Sequence, residues 1–261
     1  MLRFVSAFFL LAIGFTHASA QNPLCYDYTY NAQNKLTRER VATTEGTIYN
    51  FHSYDAIGRE TETKQVDSAS GQTAVFSLTT YYDRPNAYDK KTVAIFYSAE
   101  KSDTSVSYQK LNAHGRVIID SLTGHGPVSK TVFTYNDTLL VREVTYEAGT
   151  RNELYKAEYT YNEKHQLISK KYTHWKGYSV IEYSYDKKGR LIAEKRKRTL
   201  EFSETENLGT IAEYTYSKSG QLISKQESGK GNDTIQVPIT TTYSYDQNGR
   251  LLNMCMVYSP E

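Results

Sequence analysis

The stretch from Tyr183 to Ile192, Y-S-Y-D-K-K-G-R-L-I, constrains this 261-residue chain more than any other, because near copies of it recur along its whole length. Tyr183 and Tyr185 are two apart, so in a strand they share one face while Ser184 and Asp186 share the other. Asp186 opens a turn and Gly189 follows three residues later. That is the spacing of a three-residue hairpin loop: a type I turn whose aspartate accepts backbone hydrogen bonds, closed by a left-handed glycine at a bulge. In this register Asp186 lies opposite Arg190 and Tyr185 opposite Leu191. One face is then expected to carry Tyr, Tyr and Leu, and the other Ser, Asp, Arg and Glu.

Copies run from Tyr28 to Leu36, Tyr54 to Arg59, Tyr82 to Ala87, Tyr108 to Ile118, Phe133 to Val141, Tyr159 to Ile168, Tyr214 to Ile223 and Tyr243 to Leu252. With the prototype they make nine units, spaced 24 to 31 residues apart, a repeat-array signature. The bulge position must tolerate positive φ. It is Gly58, Gly115, Gly189, Gly220 or Gly249 in five units, and Asn34, Asn86 or His165 in three. The fifth unit, Asn136-Asp137-Thr138-Leu139, departs and is expected to turn differently. The recurring Asp55, Asp186 and Asp246 pair with Arg59, Arg190 and Arg250. They are read as turn chemistry rather than as catalytic carboxylates.

The units resemble YD repeats, the Y-x-Y-D-x-x-G-R-L tandem repeats of Rhs-type and related secreted or surface proteins. The match covers essentially the whole chain after its leader, including Arg116 at the closing position of the fourth unit. The third unit, with Pro85, and the fourth, with Leu111 for the second Tyr, are degenerate. The resemblance implies hairpins laid side by side in a long curling sheet. Neither a toxin domain nor the family's autoproteolytic core is recognised in these residues, so the resemblance is not expected to extend to encapsulation.

Further glycines at Gly46, Gly71, Gly124, Gly126, Gly149, Gly177, Gly209, Gly229 and Gly231 mark reversals between the D-x-x-G turns. The expected fold is all-β: tandem hairpins forming one long antiparallel, curled meander sheet or solenoid-like array of about 18 strands, tight turns on one edge and variable ones on the other. A single unit buries too little to fold alone. With no helix to cover the tyrosine face, the sheet must curl onto itself or be covered by a second copy or partner.

Met1 to Ala20 reads as a secretory signal peptide, with Arg3, an apolar run from Phe4 to Phe15, and Ala18-Ser19-Ala20 as the cleavage site. An exported protein with two cysteines invites a Cys25 to Cys255 bridge. An open array would hold its ends up to about 80 Å apart, and the two cysteines are out of step relative to their neighbouring tyrosines, so two free thiols are expected and a bridged ring is the alternative.

The net charge of +2 is interspersed, which excludes a nucleic-acid signature. Lys195-Arg196-Lys197-Arg198 is read as part of a solvated hairpin. No histidine has metal-ligand spacing, no nucleophile or phosphate motif occurs, and no cofactor is expected. Trp175, with His174 and Tyr178 in a variable loop, is the best aromatic platform for a saccharide. Ser68, Ser121, Thr138 and Thr234 each follow an aspartate in a pattern similar to an O-glycosylation sequon, and are expected in turns or loops. Two functions follow: a non-enzymatic exported scaffold at the cell envelope or surface that binds glycan or protein, able to self-associate through its tyrosine face, or a small outer-membrane β-barrel.

Overall fold

A computed structural model describes residues 23–43, 46–84, 87–97, 102–124, 128–174, 177–200, 205–228 and 238–258. The strands are β1 (Leu24–Tyr30), β2 (Leu36–Thr43), β3 (Gly46–Tyr54), β4 (Glu60–Asp67), β5 (Thr73–Arg84), β6 (Ala87–Tyr97), β7 (Ser102–Leu111), β8 (Val117–Gly124) and β9 (Ser129–Asn136). They continue with β10 (Leu139–Glu147), β11 (Glu153–Tyr161), β12 (Leu167–His174), β13 (Gly177–Tyr185), β14 (Leu191–Leu200), β15 (Thr205–Tyr216), β16 (Leu222–Glu227), β17 (Ile239–Tyr245) and β18 (Leu251–Tyr258). Each strand pairs antiparallel with the next, and β1 pairs with both β2 and β18. The sheet is therefore a closed up-and-down barrel. Closure removes every edge and replaces the expected open array.

The turn chemistry forms as the repeat predicts. Asp186 N donates to the Arg190 carbonyl and Gly189 N to the Asp186 carbonyl, both at 2.9 Å, and the same pair of bonds closes the turns at Asp55 and Asp246. Gly58, Gly115, Gly189, Gly220 and Gly249 have φ between 70° and 91°, and Asn34 and His165 take 65° and 59°. The fifth unit turns differently: Asn136 pairs with Leu139 directly and Asp137 takes φ 49°. The third unit also departs. β5 and β6 pair without a register shift to Arg84 opposite Ala87, and the expected turn residue Asn86 lies outside the described residues.

A bulge follows most of these turns, and it corrects two expectations. Tyr185 pairs with Leu191 but Ser184 pairs with Ala193, so Ile192 is the extra residue and every later side chain changes face. Glu194 consequently lies opposite Tyr183, on the tyrosine face rather than the polar one. The same shift between Leu251 and Asn253 puts Cys255 on the face of Cys25. Those cysteines are register partners, Cα atoms 4.1 Å apart, and form a disulfide. Two free thiols were expected because an open array would hold the ends far apart and a regular strand would put the cysteines out of step; closure removes the first reason and the bulge the second.

The face bearing the tyrosine pairs is the inner one. Ala157 and Ser179, which share it, are wholly buried, whereas Leu154, Ile168, Ile192, Ile223 and Leu252 on the other face are exposed. Crowding on the concave side of a ring produces that difference. Among the described residues, no helix is long and apolar enough to cross a membrane.

Candidate functional site: the inner wall

In six of the nine units the second tyrosine joins the unit to the one before. Tyr54, Tyr135, Tyr161, Tyr185, Tyr216 and Tyr245 donate from their hydroxyls to the backbone carbonyls of Leu36, Val117, Leu140, Leu167, Leu191 and Leu222, at 2.7 to 2.9 Å. Each acceptor is the residue that closes the previous turn, beside the bulge where the ladder is interrupted. The tyrosine supplies a partner where the sheet's own pattern lapses. Tyr81, not Tyr82, takes this role in the third unit, donating to Glu60 O at 2.8 Å, while Tyr82 lies outside and is exposed.

Turn cations complete the stitching. The Arg59, Arg116 and Arg190 guanidinium groups sit 4.4, 5.8 and 4.7 Å from the ring centroids of Tyr81, Tyr135 and Tyr216 in the following units. Arg250 lies 5.5 Å from Tyr30, carrying the same contact across the seam of the ring. Where the closing cation is replaced by Gln166, its amide donates to Gly189 O at 3.0 Å.

Deeper in the barrel the inner wall is charged. Lys170 lies 5.2 to 5.8 Å from the rings of Tyr155, Tyr159 and Tyr172 and 3.8 Å from Glu143, and Tyr214 donates to Glu194 at 2.5 Å. Arg196 reaches this wall too, 5.6 Å from the Tyr172 ring. The basic run is thus not one solvated face: Lys195 and Lys197 point outward while Arg196 and Arg198 point inward. Aromatic rings beside paired charges over a floor of Ala157 and Ser179 could stack and hydrogen-bond a polar ring.

The expected saccharide platform is not assembled as predicted. Trp175 lies outside the described residues, His174 ends β12, and Tyr178 pairs in β13 with its ring on the outer wall, 4.4 Å from Lys171. Of the glycosylation candidates, Ser68 and Thr138 sit exposed in turns as expected, and Thr234 lies outside the described residues. Ser121 instead lies within β8, paired with Tyr108 and Lys130, so a loop position is ruled out for it. Gly209 is likewise inside β15, between two register shifts, and not at a reversal. Gly126, Gly229 and Gly231 lie outside the described residues. Buried His52 donates from Nδ1 to the Glu60 carboxylate at 2.9 Å. Among the described residues no cluster of three metal-ligating side chains occurs.

Asp186 and Asp246 are held below the usual carboxylate range. The backbone N–H groups of Arg190 and Arg250 contribute most, desolvation opposes them, and the guanidinium groups add to the lowering. A lowered folded value means that the stabilisation is present above the unfolded value of about 4 and is lost as pH falls through the folded value. The melting midpoint should accordingly be flat from about pH 7 to 5 and fall below about pH 4. Asp186→Asn and Asp246→Asn together should shrink that fall, as a series of thermal melts would reveal.

No protein-family model and no curated protein matches the sequence. Among solved structures the chain is similar to a porin-like protein from Bacteroides uniformis ATCC 8492, with 12% identity and a TM-score of 0.38 over 92% of this chain and 96% of that one.

Proposed function

We propose that the protein is a non-enzymatic, exported β-barrel of the bacterial envelope, of the outer-membrane type, built from YD-like hairpins and using its tyrosine-lined interior as its working surface. The observation that carries this reading is closure of an antiparallel ring of 18 strands through the pairing of β1 with β18. An even strand number, neighbour-to-neighbour order, tight hairpins at one rim and variable connections at the other are the features of such barrels, and this strand number leaves an aqueous lumen. The outward Phe76, Leu78, Val93, Ile95 and Val106 of β5 to β7 offer a surface compatible with lipid. A signal peptide at Met1 to Ala20 would deliver the chain for assembly.

The test is to express the chain with its leader in a Gram-negative host and extract the membranes with alkaline carbonate. An outer-membrane barrel stays in the pellet. A second reading, a hollow scaffold in an aqueous compartment that binds glycan or protein, is favoured by outward charges such as Glu158, Glu182 and Lys197, whose side chains are 45 to 50% exposed. Release into the carbonate supernatant would select it.

A further inference from the structure

Three carboxylates at one depth of the inner wall are held by neutral donors alone. Glu39 accepts from Asn50 Nδ2 at 3.1 Å, Asp120 from Ser107 Oγ at 3.0 Å and Gln109 Nε2 at 2.8 Å, and Glu194 from the Tyr214 hydroxyl at 2.5 Å. Their positions are equivalent. Each stands three residues after the residue that closes its turn, Leu36, Val117 or Leu191, and lies opposite Tyr28, Gln109 or Tyr183. Like positions of like units lie at one depth in a closed ring. The three are on β2, β8 and β14, six strands apart each time round, so they divide the ring into thirds.

We infer that these carboxylates make the lumen a cation-selective path for small solutes. The path presupposes the spanning barrel proposed above. Among the described residues each strand approaches only its two neighbours, and 18 strands about 4.8 Å apart enclose a ring on the order of 30 Å across, which leaves room for water and ions between the walls. Part of that wall is lined by hydroxyls: Thr79 bonds Thr92 at 3.0 Å and Thr131 bonds Thr145 at 2.9 Å. Other inner charges cancel at close range, Glu143 with Lys170 at 3.8 Å, and Glu206 with Arg198 and Glu227 with Lys225 at 2.8 Å. Lys90 and Arg196 stand against Asp67, Asp103 and Glu147, and His52 donates to Glu60, so the balance stays negative. The tight rim opposes the belt, with Lys164, Lys187, Lys188 and Lys218 exposed on its turns. Those lysines meet bulk solvent, where salt screens them. Glu39 is buried, and a buried charge is screened much less. The belt therefore outweighs the mouth.

The experiment places the mature chain in planar bilayers of phosphatidylcholine and measures the reversal potential between about 0.1 M and about 0.01 M potassium chloride. The Debye length there, about 10 to 30 Å, reaches across much of the lumen. The expected result is a potassium-to-chloride permeability ratio of roughly five, fading towards one at about 1 M, where that length is about 3 Å. Glu39→Gln, Asp120→Asn and Glu194→Gln together should at least halve the low-salt ratio, whereas Lys188→Gln with Lys218→Gln at the rim should not reduce it. Should the triple variant not fold, the sign and salt dependence of the native chain decide. Chloride preference, or no preference at low salt, overturns the selective belt and leaves the barrel reading standing. A carbonate-resistant chain that conducts nothing overturns the path as well. Release by carbonate overturns the path and the membrane reading together.

Discussion

Replacing Cys255 with Ser should lower the melting midpoint by on the order of 10 °C, the largest effect expected of any single outer-wall substitution. The bridge closes a loop with a sequence separation of 230 residues. Restricting so long a loop in the unfolded chain stabilises by about 5.5 kcal/mol in the chain-entropy model. The seam that it reinforces is short. β1 and β18 pair only from Leu24 opposite Met256 to Asp27 opposite Asn253. Two further hydrogen bonds cross it, from Asn253 Nδ2 to Asp27 at 2.9 Å and from Arg250 to Asn34 at 3.4 Å. Thermal melts of the variant, and of the native chain with and without reductant, measure the effect. A shift under about 3 °C would mean that the ring is held by its ladder alone.

Tyr185→Ala should cost about 3 kcal/mol and Tyr185→Phe about 1 kcal/mol, read as urea midpoints. The ring fills the inner wall between two turns, and its hydroxyl satisfies the Leu167 carbonyl at 2.7 Å. Phe keeps the packing and abandons the carbonyl; Ala removes both and separates two neighbouring units. Tyr82→Ala is the control. Its ring is on the outer wall and 47% exposed, so its loss should stay within about 0.5 kcal/mol despite the same residue type. Equal costs at positions 82 and 185 would contradict the assignment of inner and outer faces.

Local chemistry was legible in the sequence because it is local. Asp186, Gly189 and Arg190 specify a turn within five residues, and the pairing of Tyr185 with Leu191 follows from it. The bulge at Ile192 was not carried through to its consequence. One extra residue reverses the face of everything after it, which moved Glu194 inward and aligned Cys255 with Cys25. Closure was harder still, since it is a property of 18 accumulated twists and not of any one unit. The arginine contacts hinted at it: the spacing that sets Arg190 on the Tyr216 ring sets Arg250 on the Tyr30 ring only if the last unit follows round to the first. The inner-wall charges were visible as residues but not as a set. Lys170 and Glu194 occupy equivalent positions three residues after the closing leucine, a periodicity that lies outside the turn motif and faces inward only because of the bulge.

Ring closure itself is tested most directly by a distance. Spin labels at Thr29→Cys on β1 and Ser244→Cys on β17, in a Cys25→Ser, Cys255→Ser background so that no covalent bridge holds the ends together, lie on exposed outer positions separated only by β18. In the closed barrel the nitroxides should be within about 25 Å of each other, two strand spacings plus the label arms. A distance beyond about 60 Å would mean that the sheet is open and the first and last strands never meet.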